Sequence, residues 1–437
     1  MFSKVVFYVG HLLFKPRALW FYFYLTSNEC KDEVTVKSRQ RKELVSFLEF
    51  CKKNVPYYKE RIPQIELAST DFSRFMNGIP LLSKVDIFEN RDEIELPENL
   101  VGKFKRVQTG GSTGNPLRYR LSDVCDDASF AILYRGHGRG GYRLGDKIAI
   151  MAGGSLIGKK KTFKSILSSW VMNNRKYSSY GVSDDLFAQY ADDLAAWRPD
   201  FILGYVTAIY EFAKYVEGSG RSIKFKSVFT TAEMLFEHQR LFIERVFECR
   251  VYNGYGLNDG AITAFECALH DGFHIDLERG YLEVVNEDGE AVVDEVGRIV
   301  ATSFLNKATP FVRYLTGDYG MISSRRCACG SPYPLLVNVM GRVTEAIKIN
   351  GLLVGSPVLT VLMANTEAMR YQFIQVADDS MKVVIERSGK YGQKDEEFIR
   401  NSLFSQLGEF SICFEYDVEH FVMTDGGKHR IVINEVS

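Results

Sequence analysis

The chain has 437 residues, of which 46% are apolar and 25% charged, and this length predicts two or three domains. Its 54 basic and 55 acidic residues give a formal net charge of −1, which provides no general attraction for nucleic acid. Eight cysteines are too few for a disulfide scaffold and no secretory signal is visible, so we expect a cytoplasmic protein without a nucleic-acid partner.

Residues 1–35 form an aromatic leader with two apolar runs, Val5–Gly10 and Ala18–Thr26, on either side of a basic stretch. Neither run approaches the roughly 18 apolar residues of a membrane-spanning helix. Two interpretations remain open. The leader is either an aromatic helix packed on the protein's own core or an interfacial anchor in peripheral contact with the inner face of a membrane.

An amphipathic helix is predicted next, and strands then alternate with helices. Apolar residues recur at helical spacing within residues 36–60, and Pro56 closes the pattern. The strands predicted from about residue 100 are Lys147–Met151, Phe201–Leu203, Ser227–Thr230 and Arg250–Tyr252, with helices at Asp185–Trp197, Tyr205–Glu217 and Glu237–Phe247. This alternation is typical of a parallel sheet covered by helices.

The pattern becomes richer in β structure after residue 275. Strands are expected at Gly280–Val285, Gly297–Ser303 and Thr309–Leu315, and then near Phe373–Val376 and Lys382–Glu386, before a helix at Lys394–Leu407. We therefore predict an α/β fold. A large N-terminal domain with helix-covered sheets would comprise residues 1–343, and a small mobile α+β domain residues 344–437.

A loop rich in glycine and hydroxyl side chains is the first candidate site. It reads Thr109-Gly110-Gly111-Ser112-Thr113-Gly114-Asn115-Pro116. Its backbone N–H groups and hydroxyls can wrap a phosphate chain. It lacks the Gly-Lys-Ser/Thr ending of a Walker loop, and a plain glycine-serine turn is the alternative.

Several further motifs follow this loop in a fixed order. They are Thr231-Ala232-Glu233, Asn253-Gly254-Tyr255-Gly256-Leu257-Asn258-Asp259, Tyr314-Leu315-Thr316-Gly317-Asp318, Gly341–Gly351 and Gly426–Ile433. In this order the set resembles the core motifs of adenylate-forming enzymes, such as acyl-CoA synthetases, adenylation domains and luciferases. It is most similar to the phenylacetate–CoA ligase-like branch with its CapK-type proteins, over about residues 36–433.

The resemblance implies a two-step reaction. A carboxylate would attack the α-phosphate of ATP to give an acyl-adenylate and pyrophosphate, and a nucleophile, usually the thiol of coenzyme A, would then take the acyl group. Two alternatives remain open. One is transfer to a sugar or an amine in envelope polysaccharide synthesis, and the other is a nucleotide-binding scaffold associated with a membrane.

The same resemblance implies roles for individual residues. Asp318 would accept hydrogen bonds from the ribose hydroxyls, and Arg342 would reach ribose or phosphate. Lys428 would bridge the substrate carboxylate and the α-phosphate, with Thr113 as a further catalytic residue and Asp259 as a Mg²⁺ ligand. The remaining nucleotide contacts would come from Thr109, Gly110, Gly111, Ser112, Gly114, Ala232, Glu233, Asn253, Gly254, Tyr255 and Gly256.

Three departures from the family's pattern stand out. The tyrosine–glycine motif usually ends in Ser/Thr-Glu, whereas this chain has Asn258-Asp259, whose shorter carboxylate has to reach further to a metal. The hinge position, commonly Asp or Lys, is Thr344. The aromatic leader is the third departure, because the synthetases generally lack it.

A cluster of cysteine and histidine residues predicts a structural zinc site. Cys267 is followed by two histidines and then by the pair Cys327 and Cys329, and thiolates with one imidazole make a four-ligand zinc set. His274 is expected as the fourth ligand because Gly-Phe-His-Ile resembles the Gly-Leu-His-Ile of relatives, with His270 as the alternative. Reduced cysteines in a loop are the competing interpretation.

Overall fold

The computed structural model describes most of the chain with side chains. The described residues are 2–64, 72–108, 117–152, 167, 169–178, 183–257, 262–340, 346–350, 352–355, 359, 362–363, 365–416, 418, 421–423 and 429–436.

The helices that cover the sheets come from all parts of the chain. They are α1 (Phe2–Phe14), α2 (Pro16–Asn28), α3 (Glu33–Asn54), α4 (Phe72–Asn77), α5 (Lys84–Glu89), α6 (Arg91–Ile94), α7 (Glu98–Val101), α8 (Asp123–Gly138), α9 (Asp184–Trp197), α10 (Val206–Gly218), α11 (Glu237–Phe247) and α12 (Gln393–Leu407). Among the described helices, none is long and apolar enough to cross a bilayer.

The strands occupy the chain from residue 104 onward. They are β1 (Phe104–Gln108), β2 (Arg118–Ser122), β3 (Ile148–Ala152), β4 (Asn174–Ser178), β5 (Phe201–Tyr205), β6 (Ser227–Thr231), β7 (Arg250–Gly256), β8 (Thr263–Glu266), β9 (Phe273–Ile275), β10 (Gly280–Val285), β11 (Gly297–Ser303), β12 (Tyr314–Ser323), β13 (Leu335–Met340), β14 (Ala346–Ile349), β15 (Leu352–Gly355), β16 (Ala368–Ala377), β17 (Ser380–Arg387), β18 (Ser411–Tyr416) and β19 (Val432–Asn434).

Eleven of the described strands form one large sheet in the order β10-β11-β12-β13-β9-β8-β7-β6-β5-β3-β4. Strands β4, β3, β5, β6 and β7 are parallel, and the other strands continue the sheet in antiparallel pairs. The parallel half agrees with the βαβ alternation in the sequence. The carboxyl ends of its strands form one edge, and ligands bind at this edge in open α/β sheets.

Helices cover both faces of the inner parallel strands, which explains why β3 and β5 consist almost entirely of apolar residues. On one face, Ala149, Ile202 and Val228 pack with residues of α9, α10 and α11. On the other face, the aromatic side chains of Phe201 and Phe229 pack with Phe7 of α1, Leu19 of α2 and Tyr134 of α8. One face of each leader helix therefore packs on the protein's own core. This agrees with the first of the two interpretations of the leader sequence.

The C-terminal part of the chain forms a separate small sheet. Four of the described strands lie in the order β18-β17-β16-β19, with α12 and the β14–β15 hairpin packed on them. The predicted α/β fold with a smaller C-terminal α+β unit is confirmed. The predicted boundary at 343/344 lies outside the described residues and stays a prediction.

One predicted strand is wrong over most of its length. Residues 309–313 are not extended in a ladder, and β12 begins only at Tyr314. Pro310 has no N–H for a ladder, and Arg313 has a left-handed backbone with φ of 49°. The buried Arg313 guanidinium lies 3.2 Å from a carboxylate oxygen of Glu283, and this tertiary contact outweighs the local strand pattern.

A buried cation joins the leader to the large sheet. The guanidinium of Arg135 on α8 lies 2.5 Å from Asp276 and 3.0 Å from Glu278, and it donates to the Tyr333 hydroxyl at 2.9 Å. It also lies 3.4 Å from the Leu25 carbonyl of α2. Burial alone would raise the pKa of Glu278, but Arg135 and the other donors lower that pKa below its usual value.

We predict that Arg135→Met destabilises the protein by about 3–5 kcal/mol, because two buried carboxylates lose their cation. The control is Arg245→Met, which removes an ion pair with Glu217 in which both side chains are largely exposed. Such a surface pair is worth about 0–1 kcal/mol. Urea unfolding of both variants measures the difference, and equal losses would contradict the role of the buried network.

Candidate active site and metal centre

Some of the predicted site residues lie outside the described residues. These are Thr109–Gly114 of the glycine-rich loop, Asp259, Arg342 and Lys428. The other predicted residues lie on the large sheet or on its connections. They form three groups: Tyr255 with Asp318, the residues at the ends of β6 and β7, and the cluster of cysteines with His274.

Two residues from separate motifs, on different strands of the large sheet, are hydrogen-bonded to each other. Tyr255 lies at the end of β7 and Asp318 lies on β12, and the tyrosine hydroxyl donates to Asp318 Oδ2 at 2.8 Å. Asp318 is buried and Tyr255 is half-buried. The sequence predicted that both residues contact a nucleotide, and the fold brings them together across 63 residues of chain.

An irregularity in β12 positions the Asp318 carboxylate. The pairing register advances by four positions along β12, from Leu315 to Tyr319, while it advances by only two along β11, from Val300 to Arg298. Gly317 has φ of 84°, which glycine adopts without strain. The Asp318 N–H donates to the Thr316 hydroxyl oxygen at 3.0 Å. Such bulges redirect a side chain, and the Thr-Gly-Asp order provides the residues that this one needs.

The motif after β6 is held to its neighbours by hydrogen bonds. Ala232 has a left-handed backbone with φ of 67°. The Glu233 carboxylate accepts the Thr207 N–H in the first turn of α10 at 2.7 Å, which satisfies a donor at a helix N-terminus. On β7, Asn253 Oδ1 accepts the hydroxyl of Thr230 at 3.0 Å. The described contacts of Glu233 and Asn253 thus shape this edge, and nucleotide contact stays a prediction.

The C-terminal part of the chain packs against the connection between β6 and α11. Phe236 of this connection lies edge-on to Tyr371 of β16, with ring centroids 5.5 Å apart. Arg370 of β16 lies 3.3 Å from a carboxylate oxygen of Glu211 on α10. A small crevice between the two parts is lined by Thr207, Glu233, Met234, Phe236, Gln239, His429 and Ile431. His429 follows the predicted catalytic lysine directly in the sequence.

The predicted metal ligands come together from the connection after β8, from strand β9 and from the connection after β12. The side-chain ligand atoms of Cys267, His274, Cys327 and Cys329 all lie within 4.8 Å of one another. The two sulfur atoms of Cys267 and Cys327 are 3.7 Å apart, and Cys329 Sγ is 3.4 Å from His274 Nε2. Ligands of a tetrahedral zinc ion would be separated by about 3.6–3.8 Å, so the four residues fit that ion.

A backbone carbonyl sets the tautomer of His274. Its Nδ1–H donates to the Tyr333 carbonyl at 3.2 Å, which leaves Nε2 as a lone-pair donor towards Cys329. Burial lowers the pKa of His274 to about 4, so the imidazole is neutral near pH 7. The residues therefore offer the protonation state that a metal ligand needs at this position.

His270, the alternative ligand, belongs to a different network. Its Nδ1 lies 3.2 Å from Glu266 Oε2. Glu266 also accepts from Arg240 at 2.7 Å and from the Asn253 N–H at 2.7 Å. Burial raises the pKa of Glu266, but these partners lower it below its usual value. The bridging roles of Glu266 and Arg240 could not be predicted from the sequence, because their partners belong to separate elements and leave no local pattern.

Two curated proteins with related sequences support the resemblance. The chain is 23% identical to Protein CapK of Staphylococcus aureus over 427 residues, which is 93% of this chain and 90% of CapK. It is 33% identical to phenylacetate-coenzyme A ligase of Thermus thermophilus over 129 residues, 28% of this chain and 29% of the ligase. No known family profile matches the chain.

Solved structures share the fold over nearly the whole chain. A 2-hydroxyisobutyryl-CoA ligase in its postadenylation state, bound to an acyl-adenylate, superposes with a TM-score of 0.69 at 15% identity, covering 94% of this chain and 91% of the ligase. The chain therefore shares the fold of this ligase, and its ordered motifs resemble those of the adenylate-forming superfamily. In sequence it is similar to CapK over most of its length and to phenylacetate-coenzyme A ligase over a shorter segment.

Proposed function

We propose that this chain is an ATP-dependent ligase that adenylates a carboxylic acid and then transfers the acyl group, most simply to coenzyme A. The observation that carries the proposal is the hydrogen bond between Tyr255, at the carboxyl end of β7, and Asp318 of β12. Asp318 has two carboxylate oxygens, and the two hydroxyls of a ribose need two acceptors. The long alignment with CapK and the shorter one with a CoA ligase support this assignment.

The arrangement of the two parts of the chain supports the adenylating step in particular. The same hydroxyisobutyryl-CoA ligase in its thioesterification state superposes with a TM-score of only 0.58 over a similar share of the chain. The described arrangement is therefore nearer to the postadenylation state, with a TM-score of 0.69. The contact of Arg370 with Glu211 stabilises it.

Lys428 is the residue that we propose for the chemistry of this step. It precedes His429, which lines the crevice beside the β6–α11 connection. A cation near the forming bond between the carboxylate and the α-phosphate would stabilise the charge that develops there. The loop Thr109–Gly114, Arg342, and Asp259 with a Mg²⁺ ion would complete the nucleotide site, as the resemblance implies.

The reaction can be tested without knowledge of the natural acid. Purified protein is incubated with ATP, Mg²⁺ and a panel of carboxylic acids, and pyrophosphate release is measured with and without coenzyme A. We expect release with at least one acid and formation of the matching thioester. Adenylate formation without a thioester would redirect the second step to an amine or a sugar, and no release with any acid would leave the scaffold alternative.

We also propose that Cys267, His274, Cys327 and Cys329 hold a structural zinc ion. These residues lie after β8, after β12 and on β9, and the ion would hold the two connections and the strand at one point. A closed set of four protein ligands is typical of a structural rather than a catalytic site. No step of the reaction depends on it.

The zinc site predicts one ion per chain. Metal analysis of protein purified under reducing, chelator-free conditions should find about one zinc ion per molecule. Cys327→Ser with Cys329→Ser should abolish the zinc and lower the melting temperature. Cys30→Ser with Cys413→Ser is the control, because both of these cysteines are exposed and lie outside the cluster. Protein without metal, or equal melting of the two variants, would refute the site.

The nucleotide site predicts a loss of affinity in Asp318→Asn. The amide keeps the size of the side chain, but an NH2 group replaces one accepting oxygen and the negative charge is lost. The Kd for ATP should therefore rise about 30- to 150-fold. Calorimetric titration with ATP measures it. Asp288→Asn, in an exposed turn, serves as the control and should bind as the unaltered protein does. Unchanged binding in Asp318→Asn would show that the motif match is a coincidence.

The two half-reactions should separate in Lys428→Ala. Acyl-adenylate formation should fall by about 10²-fold or more, as for a lost transition-state contact. Conversion of a supplied acyl-adenylate into the thioester should change little, because that step needs an open path for the thiol instead. Lys390→Ala, an exposed lysine in the same part of the chain, is the control. Equal impairment of both half-reactions would contradict the role of Lys428.

A further inference from the structure

The two leader helices each bury one face and expose another that is also apolar. On α1, Phe7, Gly10 and His11 face the protein and are buried. Val9 and Leu12 lie on the opposite face and are exposed. A helix that is apolar all round is normally buried on all sides, so the exposed face indicates a partner.

The exposed apolar surface is greatest at the turn between the two helices. Leu13 is 71% exposed and Phe14 is 76% exposed at the end of α1. Trp20 continues this surface on α2 with 62% of its area exposed. We call these residues, with Val9 and Leu12, the leader patch. Contiguous apolar surface of this kind marks an interaction site.

A neighbouring segment adds to the leader patch. Val171 packs so closely on Gly10 that a Cβ there would lie 2.1 Å from its Cγ1 atom. The side chains of Leu167 and Trp170 in this segment are 46% and 60% exposed. Two separate parts of the chain, the leader and this segment, therefore contribute exposed apolar side chains to the same surface.

The leader patch is held rigidly by the fold. Leu25 and Phe7 are buried in the cores on the same side of the sheet. The Asn28 amide donates to Glu278 at 2.9 Å, and the Leu25 carbonyl lies 3.4 Å from the Arg135 guanidinium. The surface is thus preformed, and a partner would meet it without ordering a flexible segment.

The charges of the leader favour a lipid bilayer as this partner. Residues 1–28 contain Lys4, Lys15 and Arg17 and no acidic residue, whereas the whole chain has a net charge of −1. Lys4 and Lys15 are paired with aspartates of the protein body, and Arg17 is exposed between Phe14 and Trp20. Arginine and tryptophan beside inserted apolar side chains are typical of helices at the interface of an anionic membrane.

The geometry also excludes a spanning role for these helices. Each has 13 residues, and a bilayer core needs about 20 residues of helix. We propose that the leader patch docks the enzyme on the surface of an anionic bilayer, with Leu13 and Phe14 inserted among the lipid chains and Arg17 at the headgroups.

Vesicle flotation of the full chain tests this proposal. The protein is mixed with phosphatidylcholine vesicles that contain about one third phosphatidylglycerol, or with phosphatidylcholine alone. We expect the protein to float with the anionic vesicles, and less with the neutral ones or at high salt. Failure to float with the anionic vesicles, or equal binding to both compositions, would overturn the proposal.

A matched pair of double variants localises the contact. Leu13→Asp with Phe14→Asp should reduce the bound fraction about tenfold or more. Leu241→Asp with Phe398→Asp places the same changes at exposed positions of α11 and α12 and should bind as the unaltered protein does. Melting curves verify that each variant is folded. Equal binding of the two variants would overturn the proposal.

A measurement on the unaltered chain does not depend on any variant. Two of the three tryptophans, Trp20 and Trp170, are exposed beside the leader helices. Brominated lipid chains in the anionic vesicles should therefore quench the fluorescence. Unquenched fluorescence would overturn the proposal. A concentration-dependent dimer that Leu13→Asp with Phe14→Asp abolishes, in protein that binds no vesicles, would overturn it too and would assign the patch to contact between protein surfaces.

Discussion

The guanidinium of Arg135 is buried in the protein interior, and several parts of the chain provide hydrogen-bond acceptors or carboxylates for it. A buried cation needs carboxylates and hydrogen-bond acceptors on all sides. Asp276 and Glu278 provide the charge, Tyr333 provides a hydroxyl, and Leu25 provides a carbonyl. These partners belong to the leader, to the connection between β9 and β10, and to the connection before β13. The same Tyr333 fixes the tautomer of His274 through its carbonyl, so the network extends to the cysteine cluster.

The large sheet divides its tasks between its two halves. The parallel half ends in the motifs that we assign to the nucleotide, because all carboxyl ends of parallel strands meet at one edge. The antiparallel half contains the cysteine cluster and the bulge that positions Asp318. Glu266 joins the halves, since it accepts from Asn253 of β7 and from Arg240 of α11 beside Cys267. Displacement of either half would therefore disturb the other.

Local patterns predicted the sheet and its helices well, because the βαβ alternation repeats a strong signal. They failed where distant residues decide the conformation. Thr309–Leu315 has the composition of a strand, yet Arg313 turns away to meet Glu283. The choice between His270 and His274 rested on one resemblance. The structure places His274 beside the three cysteines, where its Nδ1–H donates to the Tyr333 carbonyl 59 residues away, and the ligand role of His274 stays a prediction. The hydrogen bond of Glu233 to α10 could not be predicted either, because its partner Thr207 lies 26 residues earlier in the chain, at the start of a helix.

The position of α1 and α2 over Phe201 and Phe229 limits how this protein and its relatives can diverge. A leaderless member of the superfamily must present polar side chains on that face of β5 and β6 or cover it with another element. The leader and these strands are therefore expected to change together during evolution, as one inherited unit. Recombination that joined this leader to the sheet of a leaderless synthetase would leave an aromatic helix without its pocket.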